Sequence, residues 1–170
     1  MKLAPNSEDQ NTELKIVEIE ETGIEHLKYI QATHTIISGA ESSSNLARYD
    51  GIRYGYRTNN ATNWKEVYTK TRQEGFGYEV KKKMITGTFF LDVENMEEYY
   101  KRAEKVRTII KKEVEKVFEG KDAISMPANS AYVCLANLTG RPAITVNETT
   151  FIGKFFEEEK LIKLAKTLKS

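Results

Sequence analysis

The chain has 170 residues, of which 26 are Lys or Arg and 25 are Asp or Glu, giving a formal net charge of +1. This balance argues against a protein that binds polyanions by charge alone, since non-specific nucleic-acid binding needs an excess of basic residues. The single cysteine, Cys134, excludes an internal disulfide and fits a reducing compartment. No run approaches the ~20 apolar residues that cross a bilayer. We therefore expect a cytoplasmic protein, or one in an organelle matrix, that does not enter a membrane.

The chain starts with a polar stretch, which predicts a flexible tail over 1–14 and a single domain over 15–170. Apolar and charged residues alternate from Leu14 to Glu20, and this period of two is typical of a short, half-buried strand. From about Leu27 to Leu46, apolar and polar residues are mixed at helical steps, as at Ile30, His34, Ile37 and Glu41. This segment is therefore predicted to be a mostly buried helix.

Two helices separated by glycines are predicted next, after an irregular loop. The segment "NWKEVYTKTRQ" predicts a short helix capped by Asn63, with Glu66 at the position where a capping box places an acid. Gly75 and Gly77 are expected to end it. The following "YEVKKKMITGTFFL" predicts a second helix, in which Gly87 lets another element approach closely at a modest cost in helix propensity.

The clearest periodicity runs from about Asn95 to Phe118 and predicts a long amphipathic helix. Asn95 and Glu98 are expected to cap its start, and Gly120 is expected to take the left-handed turn at its end. Its charged side is interpreted as a solvated face. The apolar positions are Met96, Tyr99, Ala103, Val106, Ile110, Val114 and Val117.

The rest of the chain alternates between strand and helix patterns. "DAIS" predicts a buried strand, "NSAYVCLANL" a short helix ended by Gly140, and "PAITV" another strand. The final "FFEEEKLIKLAKTLK" predicts an amphipathic helix whose apolar side carries Phe156, Leu161, Leu164 and Leu168. Strands interleaved with helices predict an α/β architecture.

Five blocks of the sequence carry a family resemblance. They are "SSNLARYDGIRYGYR", "YTKTRQEGFGYEVKKKMITGT", "YYKRAEKVRTIIKK", "NLTGRPAITV" and "IGKFFEE", in that order. The chain resembles the amidase-signature enzymes from roughly Lys15 to Leu168, and within them it is most similar to the A subunits of glutamyl-tRNA(Gln) amidotransferase. The resemblance implies the C-terminal portion of the amidase-signature fold, with helices packed on a small mixed sheet.

The resemblance also implies a role in translation, because family members hydrolyse glutamine and pass the ammonia on for the formation of Gln-tRNA(Gln). Their chemistry uses a nucleophilic serine, a second serine in a cis peptide and a lysine, in a glycine- and serine-rich loop. This chain has no Gly-Gly pair, and the serines from Ser42 to Ser44 lack flanking glycines. We therefore expect no catalytic residue, and a truncated or split A-subunit-like component without amidase activity alone.

Three positions correspond by resemblance to the family's substrate-binding residues. His34, Lys83 and Ser130 stand where the family has a tyrosine, an arginine and an aspartate. A lysine lacks the fork with which arginine holds a carboxylate at two points, and a serine lacks the anion that would hold an ammonium group. Glutamine recognition is therefore expected to be weakened.

The segment "NLARYDGIRYGYR" is predicted to be a structural motif that holds an irregular loop by charge-assisted hydrogen bonds and aromatic contacts. A direct role in ligand binding is the alternative. The residues assigned to the structural motifs of the resemblance are Asn45, Arg48, Tyr49, Asp50, Gly51, Arg53, Tyr54, Gly75, Gly77, Asn137 and Gly140.

No metal or cofactor is expected in this chain. His26 and His34 have no nearby cysteine or paired carboxylates in the sequence, and "GFG" lacks the spacing of a nucleotide-binding loop. The resemblance implies partners instead: a small wrapping subunit, a tRNA-binding kinase subunit that would carry ATP and Mg²⁺, and a chain carrying the N-terminal amidase half. Contact with tRNA would be indirect. The alternative is a non-catalytic interaction module that docks on those subunits or on an unrelated partner.

Overall fold

The computed structural model describes residues 14–169, so the predicted tail lies outside the described residues apart from Leu14. Within this range the helices are α1 (Ile30–Leu46), α2 (Trp64–Gly75), α3 (Tyr78–Leu91), α4 (Tyr100–Gly120), α5 (Cys134–Thr139) and α6 (Glu158–Lys169). The strands are β1 (Ile16–Glu18), β2 (Ala123–Pro127), β3 (Ala143–Val146) and β4 (Thr149–Gly153). Short 3₁₀ helices cover Ile19–Glu21, Leu27–Tyr29 and Ala131–Val133.

The four strands form one mixed sheet in the order β1-β2-β4-β3. β1 runs parallel to β2, with Ile16 opposite Ala123, whereas β4 is antiparallel to both β2 and β3. The predicted α/β class and the small mixed sheet covered by helices are therefore confirmed. No helix within residues 14–169 is long and apolar enough to cross a membrane.

Of the strands within residues 14–169, β4 is the one that the sequence pattern did not predict. Its residues from Thr150 to Gly153 are all buried, so they show no alternation of apolar and polar positions. The sequence does not reveal the turn before β4 either. Asn147 and Glu148 take positive φ values of 47° and 63°, and neither residue is a glycine. This geometry is that of a two-residue hairpin turn, and the Asn147 side-chain amide donates to the carbonyl of Leu168 at 2.8 Å.

The main core lies between the sheet, α1, α4 and α5. The apolar face of α4 points inward, as its periodicity predicts. There it packs against the buried sides of α1, β2 and β4. Fully buried members of this core include Ile19, Ile30, Ile110, Val114, Ile124, Leu135 and Ile152. Burial of this apolar surface is the main driving force for folding.

The ends of α4 differ from the prediction. The helix begins at Tyr100 instead of Asn95, because the residues before it form turns in which the carbonyl of Asp92 accepts from the amides of Asn95 and Met96. Gly120 is the last helical residue, and its φ is not positive. The expected left-handed glycine at this end was therefore wrong, whereas Gly140 does take that conformation after α5, with a φ of 73°.

The last helix buries fewer apolar residues than expected. α6 begins at Glu158, and Phe156 lies before it with 94% of its surface exposed. Leu168 is 42% exposed, so the inward positions predicted for these two residues were wrong. Leu161 is buried as predicted, and its side chain packs against Gly153 of β4.

Helices α1 and α3 pack unusually closely at two glycines. A Cβ placed on Gly87 would overlap the carbonyl oxygen of Gly39 and would lie 2.8 Å from the Cβ of Ser43. The predicted close approach at Gly87 is therefore confirmed, and the element that approaches is α1. This contact fixes the relative position of the two helices that carry His34 and Lys83.

Candidate functional site

A groove of about 330 Å³ runs between α1 and α3, alongside the glycine contact. It exists because the small residues bring the two backbones together while the longer side chains on either side stand apart. Its lining residues are His34, Thr35, Ser38 and Gly39 from α1, and Glu79, Lys82, Lys83 and Thr86 from α3. Two of the three positions that resemble substrate-binding residues of the family thus face the same groove.

His34 lines this groove with a half-buried side chain. Burial lowers the pKa of its imidazole, the nearby Lys83 ammonium lowers it further, and Glu41 opposes the shift. The neutral ring therefore prevails near pH 7. Its Nε2 lies 3.5 Å from the side-chain nitrogen of Asn137, an amide that can donate to an unprotonated ring nitrogen. Asn137, assigned to a structural motif from the sequence, is thus placed beside His34 by α5.

Lys83 supplies positive charge to the same groove. Its side chain is exposed on α3 next to the equally exposed Lys82, and Glu79 lies one helical turn earlier. An ammonium pair with a neutral imidazole can attract a small anionic group, although a lysine binds it as a point charge and not through a planar fork. The groove thus carries the ammonium groups of Lys82 and Lys83 and the carboxylate of Glu79 beside the imidazole.

Ser130 does not line this groove. It caps the 3₁₀ helix Ala131–Val133, and its hydroxyl accepts a hydrogen bond from the amide of Tyr132 at 3.1 Å. Of the three positions that resemble the family's substrate-binding residues, His34 and Lys83 therefore lie together in the groove. Ser130 lies outside the groove lining.

The serines that follow in α1 have local partners. Ser42 donates to the carbonyl of Ser38 at 2.6 Å, and the hydroxyl of Ser43 lies 2.9 Å from that of Thr88 on α3. Neither contact offers a base, which a serine nucleophile requires. The Ser42 hydroxyl thus bonds within α1, and the Ser43 hydroxyl joins α1 to α3.

The segment after α1 is held by its own polar groups. The carboxylate of Asp50 accepts from the amides of Ile52 and Arg53 at 2.8 and 3.3 Å, and these backbone hydrogen bonds lower its pKa. Tyr49 donates from its hydroxyl to the carbonyl of Tyr56 at 2.6 Å. The loop is therefore tied to itself at two places.

Further contacts fix the same segment. Arg48 donates to the side-chain oxygen of Asn45 at 3.2 Å, and the rings of Tyr49 and Tyr54 meet edge to face at 6.0 Å. Gly51 has a φ of 70° and packs on the side chain of Thr71. A ligand role for this segment stays a prediction.

Glycines also separate α2 from α3. Gly75 closes α2, and Gly77 is the N-cap of α3, with Phe76 in an extended conformation between them. The change of chain direction therefore occurs within three residues.

Arg72 of α2 is a central residue of this region that the sequence pattern did not reveal. Its guanidinium donates to the carbonyls of Leu46 and Tyr49 at 2.7 and 3.0 Å, where α1 ends. It also lies about 5 Å from the rings of Tyr68 and Phe76. An arginine in a predicted amphipathic helix is ordinarily expected to face solvent. The sequence therefore gave no signal of this role.

His26 has a different environment from the one expected. Its Nδ1 lies 2.7 Å from a carboxylate oxygen of Glu113 on α4, and Glu25 precedes it in the chain. The expectation of no metal site assumed that no paired carboxylates were near, and this assumption was wrong. The sequence separation of 87 residues concealed the contact.

Comparison with protein-family models matches residues 4–152 to the family described as Amidase. The chain belongs to this family. A curated relative, the A subunit of glutamyl-tRNA(Gln) amidotransferase from Bacillus pumilus, is 41% identical over 175 residues, which cover 86% of this chain and 36% of the relative. The protein of the same name from Fusobacterium nucleatum is 38% identical, covering 89% of this chain and 37% of the relative.

The resemblance read from the sequence is thus confirmed at the level of the family and of its A-subunit relatives. The chain spans about a third of the length of the curated relatives that it matches. Among solved structures, the crystal structure of the A subunit of glutamyl-tRNA(Gln) amidotransferase from Thermotoga maritima is 27% identical with a TM-score of 0.47, and the match covers 82% of this chain and 32% of that one.

Proposed function

We propose that this Amidase-family chain serves as the C-terminal part of an A-subunit-like component of glutamyl-tRNA(Gln) amidotransferase, and that it has no amidase activity alone. The observation that carries this proposal is the 41% identity to the Bacillus pumilus relative over 86% of the chain. The relatives' remaining length would supply the serine and lysine chemistry, either in the same polypeptide or in a separate one. The role would be glutamine-dependent formation of Gln-tRNA(Gln).

The α1–α3 groove supports a contribution to substrate binding in that assembly. Its ammonium groups and neutral imidazole suit the carboxylate of a small amino-acid amide, and Lys83 faces the groove together with His34. Lys83 stands where the family has an arginine, and its ammonium group cannot hold a carboxylate at two points. The affinity for glutamine would therefore be lower than that of a pocket with arginine at this position.

Association with other subunits forms the second part of the proposal. Several large apolar side chains are exposed, and a contiguous patch of such side chains would mark an interaction site. The most exposed are Val93, Phe156, Trp64, Tyr78 and Ile85. The partners we propose are a small wrapping subunit together with a tRNA-binding kinase subunit, which would hold ATP and Mg²⁺, while this chain contacts tRNA only through them.

The test is reconstitution in trans. The full chain is mixed with a separately purified N-terminal segment of the Bacillus pumilus relative, and glutamine hydrolysis is measured for each component and for the mixture. We expect hydrolysis only in the mixture. Lys83→Ala should raise KM for glutamine with little change in kcat, whereas Lys65→Ala, which removes an exposed lysine outside the groove, should leave both constants unchanged.

Two outcomes would contradict this proposal. Hydrolysis by the chain alone that disappears when Ser42, Ser43 and Ser44 are replaced by alanine would assign catalysis to α1. Stable association of the two components without hydrolysis would instead support the alternative function of a non-catalytic interaction module, which the exposed apolar side chains favour.

A further inference from the structure

A cluster of side chains that do not line the α1–α3 groove combines one imidazole with two carboxylates. Glu25 and His26 lie in the segment before α1, and Glu113 lies on α4. One ligand atom from each of the three lies within 4.8 Å of the other two. The backbone amide of His26 also donates to Glu113 at 3.4 Å, so the histidine is held against α4 at both its main chain and its ring.

We propose that Glu25, His26 and Glu113 form a binding site for one divalent transition-metal ion of the zinc class. Imidazole nitrogen is a preferred ligand of zinc, cobalt and nickel, whereas magnesium and calcium take oxygen ligands. Three protein ligands with water in the fourth position form a common open zinc site. The site joins the segment before α1 to the middle of α4.

The ligand atoms must move before they can share one ion, and the Glu25 oxygen starts within 4.8 Å of the other two ligand atoms. With metal–ligand distances near 2.1 Å and tetrahedral angles, a nitrogen and an oxygen bound to one zinc ion lie about 3.4 Å apart. The Nδ1 of His26 and the Oε1 of Glu113 are 2.7 Å apart, so they must separate by roughly 0.7 Å. Their side chains are 28% and 20% exposed, and Glu25 is exposed, so rotation about their side-chain bonds can provide this movement.

The surroundings leave room for the ion and its water. A cavity of about 300 Å³ opens beside the cluster and is lined in part by Glu25 and Glu113. Lys116 is the cation that lines the same cavity. It is exposed, so its ammonium can turn into solvent, where its repulsion of a metal ion is screened.

The charges of the site suit a divalent ion. Two carboxylates carry two negative charges, which balance the ion, and the neutral imidazole adds a nitrogen ligand. In the absence of an ion, the Nδ1 of His26 and the Oε1 of Glu113 are joined by a hydrogen bond of 2.7 Å. An ion that binds here takes the place of the hydrogen in this bond, because metal ligands are deprotonated when they bind.

The test uses the full chain with zinc chloride and with cobalt chloride, measured by isothermal titration calorimetry and by thermal melting. We expect one ion per chain, a melting temperature that rises with added zinc and returns with chelator, and visible absorption of the bound cobalt. Glu25→Gln and His26→Ala should each raise Kd at least ~10-fold, since even loss of a group that only orients a ligand has this effect.

His34→Ala is the matched control, because the chain has only two histidines. It should leave zinc binding unchanged. Glu25→Gln guards against a folding defect, since this side chain is exposed and can be exchanged without disturbing the core. Absence of binding by the wild-type chain would overturn the site, as would binding that survives in Glu25→Gln and His26→Ala but is lost in His34→Ala.

Discussion

The contact between Gly39 and Gly87 allows a sharp test of packing at the level of one residue. An added methyl group on Gly87 would overlap the carbonyl of Gly39, and backbone atoms cannot turn aside as a side chain can. Gly87→Ala should therefore destabilise the protein by about 1–3 kcal/mol, the usual cost of overpacking, even though alanine favours the helix. The measurement is the free energy of unfolding in urea.

Gly120→Ala is the control for that experiment. Gly120 ends α4, and a Cβ there would meet nothing within 4 Å. This variant should be more stable by ~0.4–1 kcal/mol, because alanine has less conformational freedom in the unfolded chain. Equal effects of the two substitutions would show that helix propensity, and not the close contact, determines the result at Gly87.

Glu66 provides a prediction about pH. Its side chain accepts from the amide and hydroxyl of Thr62 and from Lys70, and the Thr62 amide is the largest cause that lowers the pKa of Glu66 to about 2. We expect its carboxyl carbon to titrate near pH 2 in an NMR experiment. Lys70→Met should move the midpoint upward, but not to the ordinary value, since the Thr62 amide remains.

The sign of the stability effect follows from this pKa. A carboxylate whose pKa is lower in the folded state stabilises that state above its ordinary value, 4.5, and the contribution is lost as the pH falls from there through about 2. Glu66→Gln should therefore flatten the loss of stability over this acidic range. A titration midpoint of Glu66 near its ordinary value would contradict the hydrogen-bonded geometry.

Among the elements, the hairpin between β3 and β4 carries backbone strain. Glu148 has a φ of 63°, a conformation that costs a residue with a Cβ about 1–2 kcal/mol. Glu148→Gly should remove this cost, but glycine also loses more conformational freedom on folding, which offsets part of the gain. The net increase in stability should therefore be up to ~1 kcal/mol. Thermal melting of Glu148→Ala, which removes the carboxylate and keeps the Cβ, should show no such gain.

Periodicity predicted the elements that bury one face and missed the one that buries both. α4 and α1 have an apolar side and a polar side, so their presence could be predicted from spacing. β4 is buried along nearly its whole length, and a buried run carries no alternation. The start of α4 was misplaced because Asn95 is as suitable for the preceding turn as for a cap.

The candidate sites show a similar division. His34 and Lys83 could be selected only by resemblance, and their common groove depends on the glycine contact between two helices. The cluster around His26 could not be predicted at all, because Glu113 approaches it from 87 residues away. Sequence spacing describes neighbours on one element, whereas these sites are built between elements.

At the scale of the whole molecule, burial is unevenly distributed. Only Thr71 is buried in α2, whereas α4 buries Ala103, Ile110, Val114 and Phe118. We expect hydrogen exchange to show faster amide exchange in α2 than in the centre of α4, since regions with little buried apolar surface open at lower free energy. Equal protection of the two helices would indicate that they unfold as one unit.

The position of the single tryptophan has a practical consequence. Trp64 begins α2 and is 80% exposed, so its indole is already surrounded by water in the folded protein. The fluorescence of Trp64 should change little when the core between the sheet and α4 unfolds. A denaturation curve recorded by tryptophan fluorescence would therefore follow local events at α2. Circular dichroism in the far ultraviolet would instead report the loss of helix throughout the chain, including α4 in the core. A shift of the tryptophan emission to shorter wavelength would signal that another surface has covered the start of α2.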